Sequence, residues 1–320
     1  MSRYVALTIA VFALVAAPAQ GAGGPVAGSD ALGEGVTTRG LGVRYIAQIV
    51  PGGTVVMAIE RRGGRVLDTR FLRRPLIVSA VAYDGSSTGL AASGSPLVLA
   101  SPRYALVRRR SDFVVLETTR LRRVTSFSLR GDFALDAISP DGDRLYFIQT
   151  RRNGAAYAVR AYDVARQRLL PRPVVDPGEP DEPMQGSPMA RAMSHDGRWA
   201  YTLYDAPHPF IHALDTERAR AKCVDLDALT GRDDLIDMRL TVAGDGTVLV
   251  HDGSTRPIIA VDPRSFAVRV PRPAAPARSS PPAADESTSW LGPAAGLALL
   301  ALLIALALRA GRARMAPRMR

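Results

Sequence analysis

The stretch "DAISPDGDRLYFIQ" at 136–149, followed by "VRAYDVARQRLL" at 159–170, decides how the chain is read. Ser-Pro-Asp-Gly between two runs rich in β-formers spells a hairpin. Glycine takes positive φ without a Cβ clash, and aspartate bonds its own backbone. The acids of "SPDGD" (139–143) raise a calcium loop as the rival. An EF-type loop needs glycine at its sixth position and a bidentate glutamate at its twelfth. Counted from Asp141, those positions hold Tyr146 and Arg152, and the equivalent turns "SHDGR" and "AGDGT" lack the third acid. The stretch is a turn, and the turn recurs.

A strand, a glycine-containing turn and a second strand occur as "RYIAQIVPGGTVVMAIE" (44–60), "TGLAASGSPLVLAS" (88–101), 136–149, "RAMSHDGRWAYTLY" (191–204) and "RLTVAGDGTVLVHD" (239–252). After each comes an apolar run, an acid, a polar turn and more apolar residues: 66–78, 115–127, 161–173, 213–225 and 260–272. The acids are Asp68, Glu117, Asp163, Asp215 and Asp262, at intervals of 49, 46, 52 and 47. A position filled by an acid in all five copies, four Asp and one Glu, is a structural Asx-type turn, since a catalytic acid is needed once. Each unit reads as four strands, a to d. Five units at roughly 40 to 50 residues predict an all-β chain, a β-propeller of five four-stranded blades over 25–270, because such a blade buries its two faces only between neighbours.

"SPDGDRLYF" with "VRAYDVARQRLL", and "SHDGRWAYTLY" with "IHALDTERARAKCVDL", resemble the WD40-like and YVTN-type propeller repeats of secreted bacterial proteins. The resemblance covers 43–270, and the first copy departs furthest, with "PGG" where Asp-Gly is expected. It implies an architecture and little chemistry, since propellers host both enzymes and binding modules.

The ends carry export signals. Arg3, an apolar run to Ala17 and the small-residue pair Ala17 and Ala19 spell a secretory signal over 1–19. "WLGPAAGLALLALLIALAL" (290–308) has no charge in nineteen residues. A helix of that length spans about 28 Å, close to a bilayer core. The tail 309–320 holds five arginines and no acid, which keeps it cytoplasmic, and the Pro-rich 271–289 is a linker. The expectation is a single-pass protein of the cell membrane with its propeller extracytoplasmic.

The formal charge is +11, of which the tail holds five and Arg3 one, leaving about +5 on the exported body and arguing against a nucleic-acid partner. One cysteine, Cys223, excludes an intrachain disulfide. It falls on a predicted d strand. No zinc or nucleophile motif is present, and His208 and His212, four apart with Pro209 between them, stand about 13 Å from each other on a strand. Neither catalytic residues nor a metal or cofactor site is predicted.

Strand order puts the a–b and c–d turns on one face and the b–c and d–a loops on the other. The long segments 100–113, 150–157, 176–189 and 204–210 all belong to the second face. Long loops on a rigid scaffold carry binding. Arg108, Arg109, Arg110, Arg151 and Arg152, with Asp181, Glu182 and His208, are the candidate ligand-binding residues there. The functional expectation is a non-enzymatic module binding a protein or an envelope polymer. The rivals are an exported propeller enzyme of quinoprotein-dehydrogenase or lactonase type and, more weakly, a TolB-like periplasmic role. Trp199 is the only tryptophan of the body, which disfavours a cofactor clamped between indoles.

Overall fold

In the computed structural model, residues 35–37, 40, 42–104, 107–150, 156–181 and 184–271 are described. The chain divides into two units, Met1–Pro271 and Arg272–Arg320, and every described residue belongs to the first. The expected signal segment, membrane span, tail and, beyond Pro271, linker therefore lie outside the described residues. Among the described residues no helix is long and apolar enough to cross a membrane.

The strands run in chain order as antiparallel meanders. β1 (Val43–Val50), β2 (Gly53–Glu60) and β3 (Val66–Leu72) form the first sheet, and β4 (Ser79–Ala80) with β5 (Ser87–Thr88) a small hairpin. The next sheet is β6 (Leu97–Ala100), β7 (Arg110–Glu117) and β8 (Arg122–Arg130). Three four-stranded sheets follow. They are β9 (Asp132–Ile138), β10 (Arg144–Thr150), β11 (Tyr157–Asp163) and β12 (Arg168–Leu169), then β13 (Ser187–Met193), β14 (Trp199–Asp205), β15 (Phe210–Asp215) and β16 (Arg220–Asp225), and finally β17 (Arg239–Val242), β18 (Val248–His251), β19 (Pro257–Val261) and β20 (Val268–Arg269). Consecutive sheets pack face to face, the arrangement of a β-propeller.

Burial follows strand position. β9 is buried at every residue and β10 nearly so, as a strand covered on both faces must be, whereas the outer β8 is mostly exposed. Separate apolar clusters fill the seams. Val56, Leu97 and Leu116 belong to the first, and Phe113, Phe133 and Phe147 to the second. Tyr146, Tyr157 and Tyr204 lie in the third, and Leu203, Leu229 and Val250 in the fourth. Each such side chain contributes about 1.5–3 kcal/mol on full burial.

The a–b turns are built as their spelling predicts. In 139–143 the Ser139 hydroxyl donates to Asp141, whose carboxylate also accepts the Asp143 amide at 3.0 Å. Asp196 accepts the Arg198 amide at 3.0 Å and Asp245 the Thr247 amide at 2.9 Å in the same way. These turns also touch. A Cβ on Gly142 would lie 2.0 Å from the Pro96 ring of the preceding repeat, so this glycine answers both to its φ of 82° and to close packing.

In the c–d turns Asp163 accepts the Arg166 amide at 2.8 Å, Asp215 the Glu217 and Arg218 amides at 3.1 Å, and Asp262 the Ser265 amide at 2.8 Å. Glu117 accepts the Thr119 amide. Four residues beyond each acid stands a left-handed residue: Leu121, Gln167, Ala219 and Phe266, with φ of 46, 52, 53 and 57°.

That regularity corrects the first repeat. Asp68 is not its turn acid but lies inside β3, where it accepts the adjacent Thr69 amide. Glu60 ends β2, and Gly64, four residues on, has φ of 69°. "PGG" at 51–53 therefore joins the second and third strands. The cause is a first strand reduced to one bridge, Val36 to Tyr45, so that the two long apolar runs imitate a and b. The second repeat also departs from four continuous strands. Its innermost strand is split into bridges at Ile77 with Ala100 and Leu90 with Leu97, and the β4–β5 hairpin is extruded between them.

The turn equivalence has a measurable consequence. Gly64 has open space around its missing Cβ, so Gly64→Ala should cost about 1 kcal/mol in denaturant unfolding from backbone conformation alone. Gln167→Gly should stabilise by a similar amount at the equivalent position. Changes of the same sign for the two would show that the turns are not equivalent.

Candidate functional site

The expected arginine surface is divided by the structure. Arg108 turns inward with a side chain 8% exposed, donating from Nε to Asp132 at 2.9 Å and through its other nitrogens to the Ser101 and Phe133 carbonyls. Arg103 donates to the other oxygen of Asp132 at 2.7 Å. One carboxylate at the start of β9 thereby clamps both ends of the preceding b–c loop. Arg108 is thus a structural residue, not a ligand-facing one. Burial of Asp132 beside Gly131 required it: a carboxylate cannot be taken from water without paired donors. Arg109 and Arg110 are exposed, the latter bonded to Asp112 and Ser128. Arg151, Arg152 and Glu182 lie outside the described residues. Asp181 and His208 are exposed on two loops of the long-loop face.

The centre of the molecule is plugged. The tip of the β4–β5 hairpin reaches past the third repeat to β13, with the Tyr83 amide on the Pro188 carbonyl at 2.9 Å and the Asp84 amide on Met189 at 3.0 Å. Asp84 in turn accepts the Arg191 amide at 3.0 Å. The Arg191 guanidinium donates to Asp136 at 2.6 Å and to Thr202 at 2.8 Å, a buried ion pair joining two innermost strands. Register continues this polar row across the fourth repeat, Arg191 opposite Thr202, Thr202 opposite His212 and His212 opposite Cys223.

His212 Nε2 is buried with no hydrogen-bond partner. Burial, with Arg191 acting the same way against the opposing pull of Asp136 and Asp176, pushes the imidazole down to about 4. It is held neutral within the sheet.

The residues that converge on a concavity are those between the third and fourth repeats. Asp176 is buried, with Oδ1 accepting the Gly178 amide at 2.8 Å and Oδ2 accepting the Cys223 amide at 3.0 Å and the Lys222 ammonium at 2.8 Å. Burial works to raise this carboxyl, and the Lys222 bond with the two amides outweighs it, so it stays below the ordinary carboxylate range. The 170–186 connection is thereby stitched to β16. A cleft of about 90 Å³ opens beside the stitch, bounded by Asp176, Glu179, Met184, His208, Phe210 and Asp225 among others.

Asp176, Glu179 and Cys223 place one donor atom each within 4.8 Å of one another. The Lys222 ammonium already bonded to Asp176 competes with any cation there. A second, larger chamber of about 200 Å³ opens on the short-turn face beneath the plug, near Thr88, Arg191 and His195.

Loop length directs attention to the long-loop face and the His208 loop. The clamp at Asp132, the Arg191–Asp136 pair and the stitch at Asp176 were missed. "YDGSST" at 83–88 carries an Asp-Gly turn signal inside what reads as a plain connection, and it marks the plug.

No protein-family model matches the sequence, and no curated protein matches it. Among solved structures the chain is similar to the β-propeller domain of Myceliophteria thermophila Cps50 (Swd1), at 9% identity and TM-score 0.43 over 73% of this chain and 69% of that one. It is similar to a putative TolB from Agrobacterium tumefaciens, at 14% identity and TM-score 0.36 over 77% and 78%. It is also similar to Kuenenia stuttgartiensis hydrazine synthase, at 13% identity and TM-score 0.39, covering 75% of this chain and 60% of that one. It spans about half, 51%, of the Dos1 propeller chain it matches. These likenesses assign no function.

Two outcomes test the buried polar groups. Asp132→Asn should destabilise by about 3 kcal/mol in denaturant unfolding, by stranding two guanidinium groups, while Arg109→Gln should stay within about 0.5 kcal/mol. For His212 the folded-state value of about 4 lies below the unfolded value of 6.5, so the unfolded chain takes the proton first. Stability should be full above pH 6.5 and fall toward pH 4 by about 3 kcal/mol, and His212→Leu should remove that part of the slope in pH-dependent unfolding.

Proposed function

We propose that this chain is a membrane-anchored, extracytoplasmic, five-bladed propeller acting as a non-enzymatic binding module. Its ligand-binding surface is the long-loop face over the third and fourth repeats. The five-blade count takes the β4–β5 hairpin as an insertion in the second blade and Val36 as the remnant of the innermost strand of the first. The export signal, uncharged span and basic tail of the sequence support the anchoring. A protein or an envelope polymer is the partner that a binding module with long surface loops suits.

The observation that carries the reading is the convergence of described residues from two loops, 175–179 with 184–185 and 206–208, on one cleft. They come from different repeats, and Asp176 holds the longer of them in place through three hydrogen bonds to its carboxylate. A loop pre-organised in this way loses little entropy on binding.

Site-specific photocrosslinking in cells tests the choice of face. A benzoylphenylalanine at Asp181 or His208 should give a discrete adduct, and one at Arg264, exposed on a c–d turn of the opposite face, should give none. The same adduct from both faces, or from Arg264 alone, would remove the proposed surface.

A further inference from the structure

A second surface lies on sheets other than those that form the cleft. β3 and β8 are the outermost strands of the first two sheets, and those sheets adjoin. Arg74, just past β3, comes within 3.9 Å of Asp112 on β7, and buried Leu72, Val114 and Leu116 share one apolar cluster. Residues 60–74 hold six arginines and two acids, and residues 109–130 the same. Arg70, Arg73, Arg120, Arg122 and Arg123 are exposed, and none of them forms an ion pair among the described residues. Opposite charge gathers in 225–252, with seven acids and two arginines.

Apolar side chains stand exposed among these arginines. Val66, Leu67 and Phe71 on β3 and Val124 on β8 are 44 to 58% exposed. Val115 pairs with Thr125 and Leu116 with Arg123, so Val124 sits at a bulge with no cross-strand partner. Charge and a bulge on an outer strand are the ordinary defence against edge-to-edge pairing. That defence calls for no exposed leucine, phenylalanine or valine. The shorter outer strands β12 and β20 carry one arginine each, Arg168 and Arg269.

A surface that is cationic and apolar at once suits the interface of an anionic bilayer. Guanidinium groups fork onto phosphates there, while their stems and neighbouring apolar side chains leave water. A soluble polyanion would use the charge and leave the apolar side chains wet. We propose that the edge formed by β3 and β8 rests on anionic phospholipid headgroups, with its arginines on phosphate and Leu67, Phe71 and Val124 in the interface. The same surface repels the acidic 225–252 stretch and so orients the propeller.

Site-specific fluorescence tests this with the full-length chain in phosphatidylcholine vesicles, with or without phosphatidylglycerol. A solvatochromic amino acid is placed at Val124 or at Ile236, likewise exposed and apolar but within the acidic stretch. With phosphatidylglycerol the Val124 label should shift to the blue and be quenched by a nitroxide on the lipid headgroup, and the Ile236 label should do neither. Arg120→Gln, Arg122→Gln and Arg123→Gln together should lower the contacting fraction at least about tenfold. Added salt should act in the same direction. The readout is local to one side chain, so it is independent of what the long-loop face binds and of how the chain is held at the vesicle. Equal quenching with and without phosphatidylglycerol, or at Val124 and Ile236 alike, would overturn the proposal. So would a Val124 label that responds to soluble polyphosphate and to no lipid, which would assign the edge to a soluble polyanion, or one that responds to neither.

Discussion

A four-stranded antiparallel sheet of this kind has two faces to cover and, among the described residues, no α-helix to cover either. Each sheet therefore depends on the ones before and after it, and the apolar clusters lie in the seams between consecutive sheets. Much else follows from that dependence. Strand position grades burial, from β9, innermost in its sheet and fully covered, to β8, outermost in the preceding sheet and largely exposed, and the turns must repeat because the seams repeat. The left-handed residue four places after each c–d acid is the local signature of this demand. It is tolerated at Leu121, Gln167, Ala219 and Phe266 although none is glycine, because the acid and its amide bonds hold the turn.

The departure from regularity is concentrated in the second repeat. Extruding the β4–β5 hairpin replaces backbone pairing along the innermost strand with bonds to β13, which lies beyond the third repeat. The centre is thereby occupied by chain, with Arg191 and Asp136 bound to each other and Asp84 engaged with the Arg191 amide. Buried pairs of this kind add little net stability relative to apolar packing, but they are costly to break and so fix which strands lie side by side.

Sequence carried most of the fold because its turns are local. Asp141, Asp196 and Asp245 each bond an amide two residues on, so their role is written within five letters. The first repeat was misread because "VLDTR" spells like "ALDTE", and only pairing shows that Asp68 lies inside an outer strand while Glu60 closes the turn. Arg108 illustrates the harder case. Three arginines in a row look alike, and the one that points inward is selected by Asp132, twenty-four residues away. The candidate site was legible only as a choice of face, through the length of 176–189 and the His208 loop. It was not legible as a cleft, since Asp176 reaches Lys222 and Cys223 across about forty-six residues.

Connection length explains why the cleft lies in that seam. Between β8 and β9 only Gly131 intervenes, and the strands on either side are sealed by Phe113, Phe127, Phe147 and Tyr162, with Phe127 and Tyr162 stacked 4.1 Å apart. No spare chain exists there from which to build a rim. Between β12 and β13 lie seventeen residues, 170–186, and Asp176 among them reaches the outer strand β16 of the next sheet. Such a loop needs an anchor to keep a shape. Asp176 supplies it by satisfying its buried charge with the only lysine of the chain and two amides. A lysine suits this position better than one of the many arginines, since a single compact ammonium neutralises one carboxylate oxygen without covering the cleft beside it. The acid that organises the loop is thus spent on structure, its carboxylate filled by the ammonium and the two amides.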